Sequence, residues 1–201
     1  PAGTQTLDEA EAARLFTFAE DLTSLIQSGK GRPIDRLALG VTQTMLKNYP
    51  EALVNLDDVI AKDDKFTVAY MARAYARFMK LASEQKNIEH KNNGADALDR
   101  RASMAALQEV ISDYDMALNL NPRLVFAWFN KGNIYYSVGD YTSALHCYAE
   151  ALKIDPEFGQ AYFNRGLSYL QAGNKSQAFA DLSKAGELGV LPSYNILKRM
   201  K

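Results

Sequence analysis

Residues 127–156 read AWFNKGNIYYSVGDYTSALHCYAEALKIDP, and the fold follows from what happens when this stretch is laid on the rest of the chain. A single shift brings Trp128 onto Tyr162, Gly132 onto Gly166, Tyr135 onto Tyr169 and Gly139 onto Gly173. The same shift brings Ala144 onto Ala178, Tyr148 onto Leu182 and Ala151 onto Ala185. A fixed period of this size marks an array of small supersecondary units, each too small to bury its own apolar face. Small residues at Gly132, Ala144 and Ala151 let two helices of a unit approach closely, and Trp128, Tyr135 and Tyr148 fill the space beside them. Gly139 suits a helix C-terminus, Asp140 caps the next helix, and Pro156 ends it.

The pattern Trp128-x2-Lys131-Gly132-x2-Tyr135, then Ala144-x3-Tyr148, then Pro156, resembles the tetratricopeptide repeat, with Lys131 where that family often carries Leu. The resemblance implies an all-α fold, a right-handed solenoid of helix-turn-helix units. The ending DLSKAGELG with the short SYNILKRM helix is similar to the C-terminal part of large bacterial proteins with many such repeats.

Weaker copies precede the strong ones. Residues 33–66 place Gly40 at the small position of a first helix and Ala52, Leu56 and Val59 on a second. The next copy opens with AYMARAYARF, where Ala74 stands one repeat length after Gly40. It closes with EVISDYDMALNLNP, in which Tyr114, Ala117 and Pro122 stand one repeat length before Tyr148, Ala151 and Pro156. Between them the chain carries about 24 extra residues, in KLASEQKNIEHKNNGADALDRRASMA. Helix-forming residues flank Asn92-Asn93-Gly94, a turn signal, so the insertion over 80–101 reads as an extended helical hairpin, with a disordered loop as the alternative. Residues 7–27 form an amphipathic helix carrying Leu15, Phe18, Leu22, Leu25 and Ile26, for which Thr6 and Glu9 make a capping box and Gly29 the end. It reads as helix B of an earlier repeat or as a dedicated cap.

The expected organisation is a capping helix over 1–32 and repeats over 33–66, 67–124, 125–158 and 159–190. The second repeat bears the hairpin, and a capping helix over 191–201 carries Tyr194, Ile196 and Leu197, with Lys198, Arg199 and Lys201 as a basic finish.

Composition narrows the function. The chain of 201 residues is 47% hydrophobic and 23% charged, which allows a packed core. Its 23 basic and 24 acidic residues leave a net charge of −1, which argues against a nucleic-acid partner, a local patch at Arg100-Arg101 aside. No apolar run approaches the roughly 18 residues of a membrane span, so no membrane insertion is expected. No signal peptide is visible in these residues, and the compartment stays open between cytoplasm and bacterial periplasm or envelope. Cys147 is the single cysteine, so neither a disulfide nor a cysteine-based metal site within the chain is possible.

Catalytic chemistry finds no foothold. His90 and His146 are the only histidines, and neither has a partner at ligand spacing, so no metal or cofactor is expected. His146 and Cys147 are neighbours on one helix and point about 100° apart, which separates nucleophile from base. Asp57-Asp58 and Asp63-Asp64 read as solvated or capping carboxylates rather than an acid–base dyad. Gly29-Lys30-Gly31 lacks the surroundings of a phosphate loop. The expectation is a binding protein, not an enzyme.

The resemblance implies a concave groove lined by the first helix of each repeat. Its positions correspond here to Ile34, Leu37, Val41 and Thr44; to Val68, Met71, Tyr75 and Phe78; to Phe126, Phe129, Asn133 and Tyr136; and to Gln160, Phe163, Leu167 and Leu170. Asn133 and Asn164 also match two asparagine places of the family's carboxylate clamp, but Phe129 stands at its lysine place. The groove reads as an apolar, aromatic-rich surface for an extended segment or amphipathic helix of a protein partner. A structural end module that self-associates through hairpin or caps is the alternative.

Overall fold

The computed structural model describes residues 7–91 and 97–200, with side chains described over 7–84 and 103–200. Among these residues there are ten α-helices and no strand: α1 (Glu9–Gln27), α2 (Pro33–Met45), α3 (Tyr49–Lys62), α4 (Thr67–Lys91), α5 (Ala97–Leu120), α6 (Val125–Ser137), α7 (Tyr141–Ile154), α8 (Gly159–Gln171), α9 (Lys175–Glu187) and α10 (Pro192–Met200). Helices α4 and α5 run to 25 and 24 residues, against 13 and 14 in α2 and α3. The turn signal Asn92-Asn93-Gly94 and the His90, Arg100 and Arg101 side chains lie outside what the structure describes. The chain divides into two compact units at Met116/Ala117, within α5.

In the first unit α1 packs on α2, α2 on α3, and α3 on α4. Leu37, Leu56, Val59, Ala69 and Ala76 form its core, with Leu53, Ile60 and Phe66 against them. In the second unit α6 packs on α7, α7 on α8, α8 on α9 and α9 on α10. Ala144, Tyr148, Ala151, Ala161, Ala178, Leu182 and Ala185 are fully buried there.

One contact recurs in both units. A Cβ on Gly40 would come within 2.8 Å of Leu56, one on Gly132 within 2.7 Å of Tyr148, and one on Gly166 within 2.9 Å of Leu182. The paired helices therefore touch closely enough that only glycine fits without a shift. Gly139 and Gly173 act differently: each ends a helix at positive φ and hands the chain to the N-cap, Asp140 or Asn174. Asp140 accepts from the Ser143 amide and hydroxyl, which holds its carboxyl below the usual aspartate range.

The expected cap of α1 needs correction. Asp8, not Thr6, is the N-cap: its carboxylate accepts from the Glu11 amide at 2.7 Å, and Glu11 accepts in return from the Asp8 amide. The same reciprocal pattern, two residues further along, satisfies the Asp8 and Glu11 amides instead of those of Thr6 and Glu9.

Helix α1 stands in register with the second helices of the pairs. Phe18, Leu22 and Leu25 stand one repeat length before Ala52, Leu56 and Val59, which are fully buried in the first unit. Leu22 is buried as well, but Phe18 is 48% and Leu25 37% exposed.

A second recurring element joins the helices electrostatically. Arg165, just before Gly166, makes two bonds to Asp181, just before Leu182, at 2.7 and 2.8 Å. Arg73, just before Ala74, likewise holds Asp113, just before Tyr114, at 3.0 and 2.6 Å, and Arg77 reaches the same carboxylate at 2.7 Å. Lys131 and Cys147 occupy these places beside Gly132 and Tyr148, and there the ammonium stands 5.8 Å from the ring centroids of Trp128 and Tyr135. Asp57 and Asp58 are ion-paired as well as reached by solvent: Asp57, its side chain 55% exposed, binds Arg73 at 2.7 Å, and Asp58 binds Arg36 at 2.9 Å and Lys62 at 2.8 Å.

This packing sets two expectations for stability. Leu56→Ala should cost about 2–5 kcal/mol of unfolding free energy, whereas Phe18→Ala should cost less than about 1 kcal/mol, both read from urea melts by circular dichroism. Asp181→Ala should cost about 3–5 kcal/mol by stranding Arg165, and the joint change Arg165→Met with Asp181→Leu should recover most of that loss. Equal losses for the single and joint changes would show that packing, not charge pairing, sets the cost.

Candidate functional site

The side chains expected to line a binding face fall in both units and are described for each unit separately. In the first unit, Ile34 and Val41 of α2 are exposed, but Leu37 and Thr44 are buried. Leu37 belongs to the core, and the Thr44 hydroxyl donates to the Gly40 carbonyl at 2.8 Å. On α4, Val68 and Tyr75 are exposed, while Met71 and Phe78 are half-buried.

The second unit assembles a denser surface. Phe126, Phe129, Asn133 and Tyr136 recur at three- and four-residue spacing and so share one side of α6. Phe126 is 62% exposed, and the other three are half-buried. Gln160, Phe163, Asn164, Leu167 and Leu170, all half-buried, do the same on α8. The two helices are joined by a hydrogen bond from Asn164 Nδ2 to Asn133 Oδ1 at 2.7 Å. The same oxygen accepts from the Tyr148 hydroxyl at 2.8 Å, and burial holds that phenol well above the usual tyrosine range. Gln160 Nε2 lies 3.5 Å from Asn164 Oδ1.

The aromatic side chains interlock. Phe129 lies 4.7 Å from Phe158 and 5.9 Å from Tyr148 between ring centroids, and Phe126 meets Phe158 edge-on at 5.5 Å. Tyr136 meets Tyr141 at 5.7 Å. Phe158, the residue before α8, is not among the expected site residues. Its signal is present in the repeat, since it stands one repeat length after Leu124, which holds the same place before α6.

Trp128 takes no part in this surface. It lies on the other side of α6, where its indole N–H donates to the Pro122 carbonyl at 3.0 Å and its ring meets the edge of His146. Cys147, the next residue after His146, is buried. Among the described residues no group of three His, Cys, Asp or Glu side chains could hold a metal ion, and no helix is long and apolar enough to cross a membrane.

The first unit also has an open cleft of about 490 Å³ between α1, α2 and α3, bordered by Ile26, Leu39, Gln43, Val54 and Asn55. Leu39 and Asn55 precede Gly40 and Leu56, the places that Arg165 and Asp181 fill beside Gly166 and Leu182. None of the expected groove residues borders this cleft.

Comparison with known proteins agrees with this architecture. The TPR repeat family matches residues 132–173, and the tetratricopeptide repeat matches residues 159–188. No curated protein matches the chain by sequence. Among solved structures, MamA is 21% identical over 94% of this chain and 98% of its own, with a TM-score of 0.68. A thermophilic TPR protein of Thermus thermophilus, TTC0263, is 18% identical over 94% of both chains, with a TM-score of 0.67. At these identities the likeness is one of fold. Repeats of this kind support a general role as a protein-interaction scaffold. With its repeating period, its glycine-spaced helix pairs and the matched segments within 132–188, the chain carries tetratricopeptide repeats.

Proposed function

We propose that this protein is an adaptor that holds a segment of a partner protein on the face formed by α6 and α8. The observation that carries the reading is the interlocked aromatic surface of Phe126, Phe129 and Phe158, with Phe126 62% exposed. Large rings that bring apolar area with little conformational freedom to lose are the side chains that anchor protein interfaces. The face continues along Tyr136 on α6 and Phe163, Leu167 and Leu170 on α8, so it can take an extended segment or one side of an amphipathic helix. In the first unit, Met71, Tyr75 and Phe78 are a separate set of candidate contacts on α4.

A carboxylate clamp is the less favoured reading. Asn133 and Asn164 are spent on each other and on Tyr148, and Phe129 supplies a ring where a lysine would be needed.

The reading is tested by affinity capture from a native lysate with the wild-type chain beside a variant carrying Phe129→Ser, Tyr136→Ser and Phe163→Ser. Circular dichroism first establishes that the variant keeps its helix content. A partner held by the wild type and lost by the variant is the expected result. Capture of the same proteins by both baits would sink it.

A further inference from the structure

We infer that the α6/α8 face selects a peptide segment that carries no charged side chain and no chain terminus in its contact stretch. This rests on the groove reading above and adds the chemistry of the ligand. Each of the two helices carries a single charged residue, Lys131 in α6 and Arg165 in α8. Lys131 lies two positions from Phe129, and Arg165 two positions from Phe163, so each points about 200° around its helix from that phenylalanine.

Both charges are also engaged. Lys131 stands over the rings of Trp128 and Tyr135, and Arg165 is held by two bonds to Asp181. The polar side chains left on the face are neutral, and the amides of Asn133, Asn164 and Gln160 are linked to one another. Asn133 Oδ1 accepts from Tyr148 and Asn164, and Asn164 Oδ1 lies near Gln160 Nε2.

The selectivity is a matter of desolvation. A carboxylate, ammonium or guanidinium pressed onto this surface would shed water without meeting an opposite charge on either helix, which is costly. An aliphatic or aromatic side chain would instead release water from Phe126 and its neighbours at no such cost. The two helices therefore reject charge by offering no partner for it, and rejection of this kind gives specificity as surely as a positive contact does.

The test is selection of short peptides from a random displayed library on the intact chain, with parallel selection on the Phe129→Ser/Phe163→Ser variant. Recovered peptides are then titrated by fluorescence anisotropy at low and high salt. Peptides that need Phe129 and Phe163 should be enriched in Leu, Ile, Phe, Tyr and Trp and depleted in Asp, Glu, Lys and Arg. Their Kd should change less than about twofold between about 50 and 500 mM NaCl. Peptides that need both phenylalanines but lose more than about tenfold in affinity when a charged residue of their own is replaced by Ala would overturn this inference and leave the groove standing. Recovery of no peptide, or of peptides that bind the variant equally well, would overturn the groove reading and this inference with it.

Discussion

The rest of the structure depends on the approach of a small residue on one helix to a large one on its partner. Gly40 meets Leu56, Gly132 meets Tyr148, and Gly166 meets Leu182, each at a distance that leaves no room for a methyl group. The contact sets how closely each pair of helices can lie and so fixes where their remaining side chains go. In these three pairs the large partner is wholly buried, while most aromatic residues of the first helices are not. A solenoid has no central core to fall back on, so this nearest-neighbour packing carries its stability.

The same contact builds the candidate site. Because Gly132 has no side chain, the Tyr148 ring can lie under α6 and its hydroxyl can reach Asn133, which in turn holds Asn164 of α8. Phe129 packs on that buried ring and on Phe158, so the aromatic surface is anchored from below. For the proposed binding of a partner segment, rings that are already fixed would lose little freedom.

Parts of this are legible in the residues and parts are not. The period, the glycines at helix ends, and the small-large contacts all leave marks at single positions, so they can be read by laying the chain on itself. The cap of α1 is misread from sequence because Thr6–Glu9 and Asp8–Glu11 offer competing spacings, and only the path of the backbone chooses between them. The paired Arg73–Asp113 and Arg165–Asp181 bonds escape reading for a different reason. Their partners sit 40 and 16 residues apart, and the third pair replaces them with Lys131 and Cys147. The ion pairs of Asp57 and Asp58 with Arg73 and Arg36 are hidden in the same way, because those arginines reach them from neighbouring helices.

The sequence by itself determined the helix-pair repeat, the identity of the residues at its tight contacts, and the aromatic character of the first helices. These are properties of one residue, or of residues a fixed number of places apart, and local sterics and periodicity are enough to read them. Only the tertiary structure decided which side chains of that set face outward. Leu37 and Thr44 sit at expected groove positions and are buried, whereas Phe126 stays open and Phe158 joins it from outside the helices. Exposure depends on how far the next helix covers a position, and that depends on side chains many residues away, so no local pattern records it.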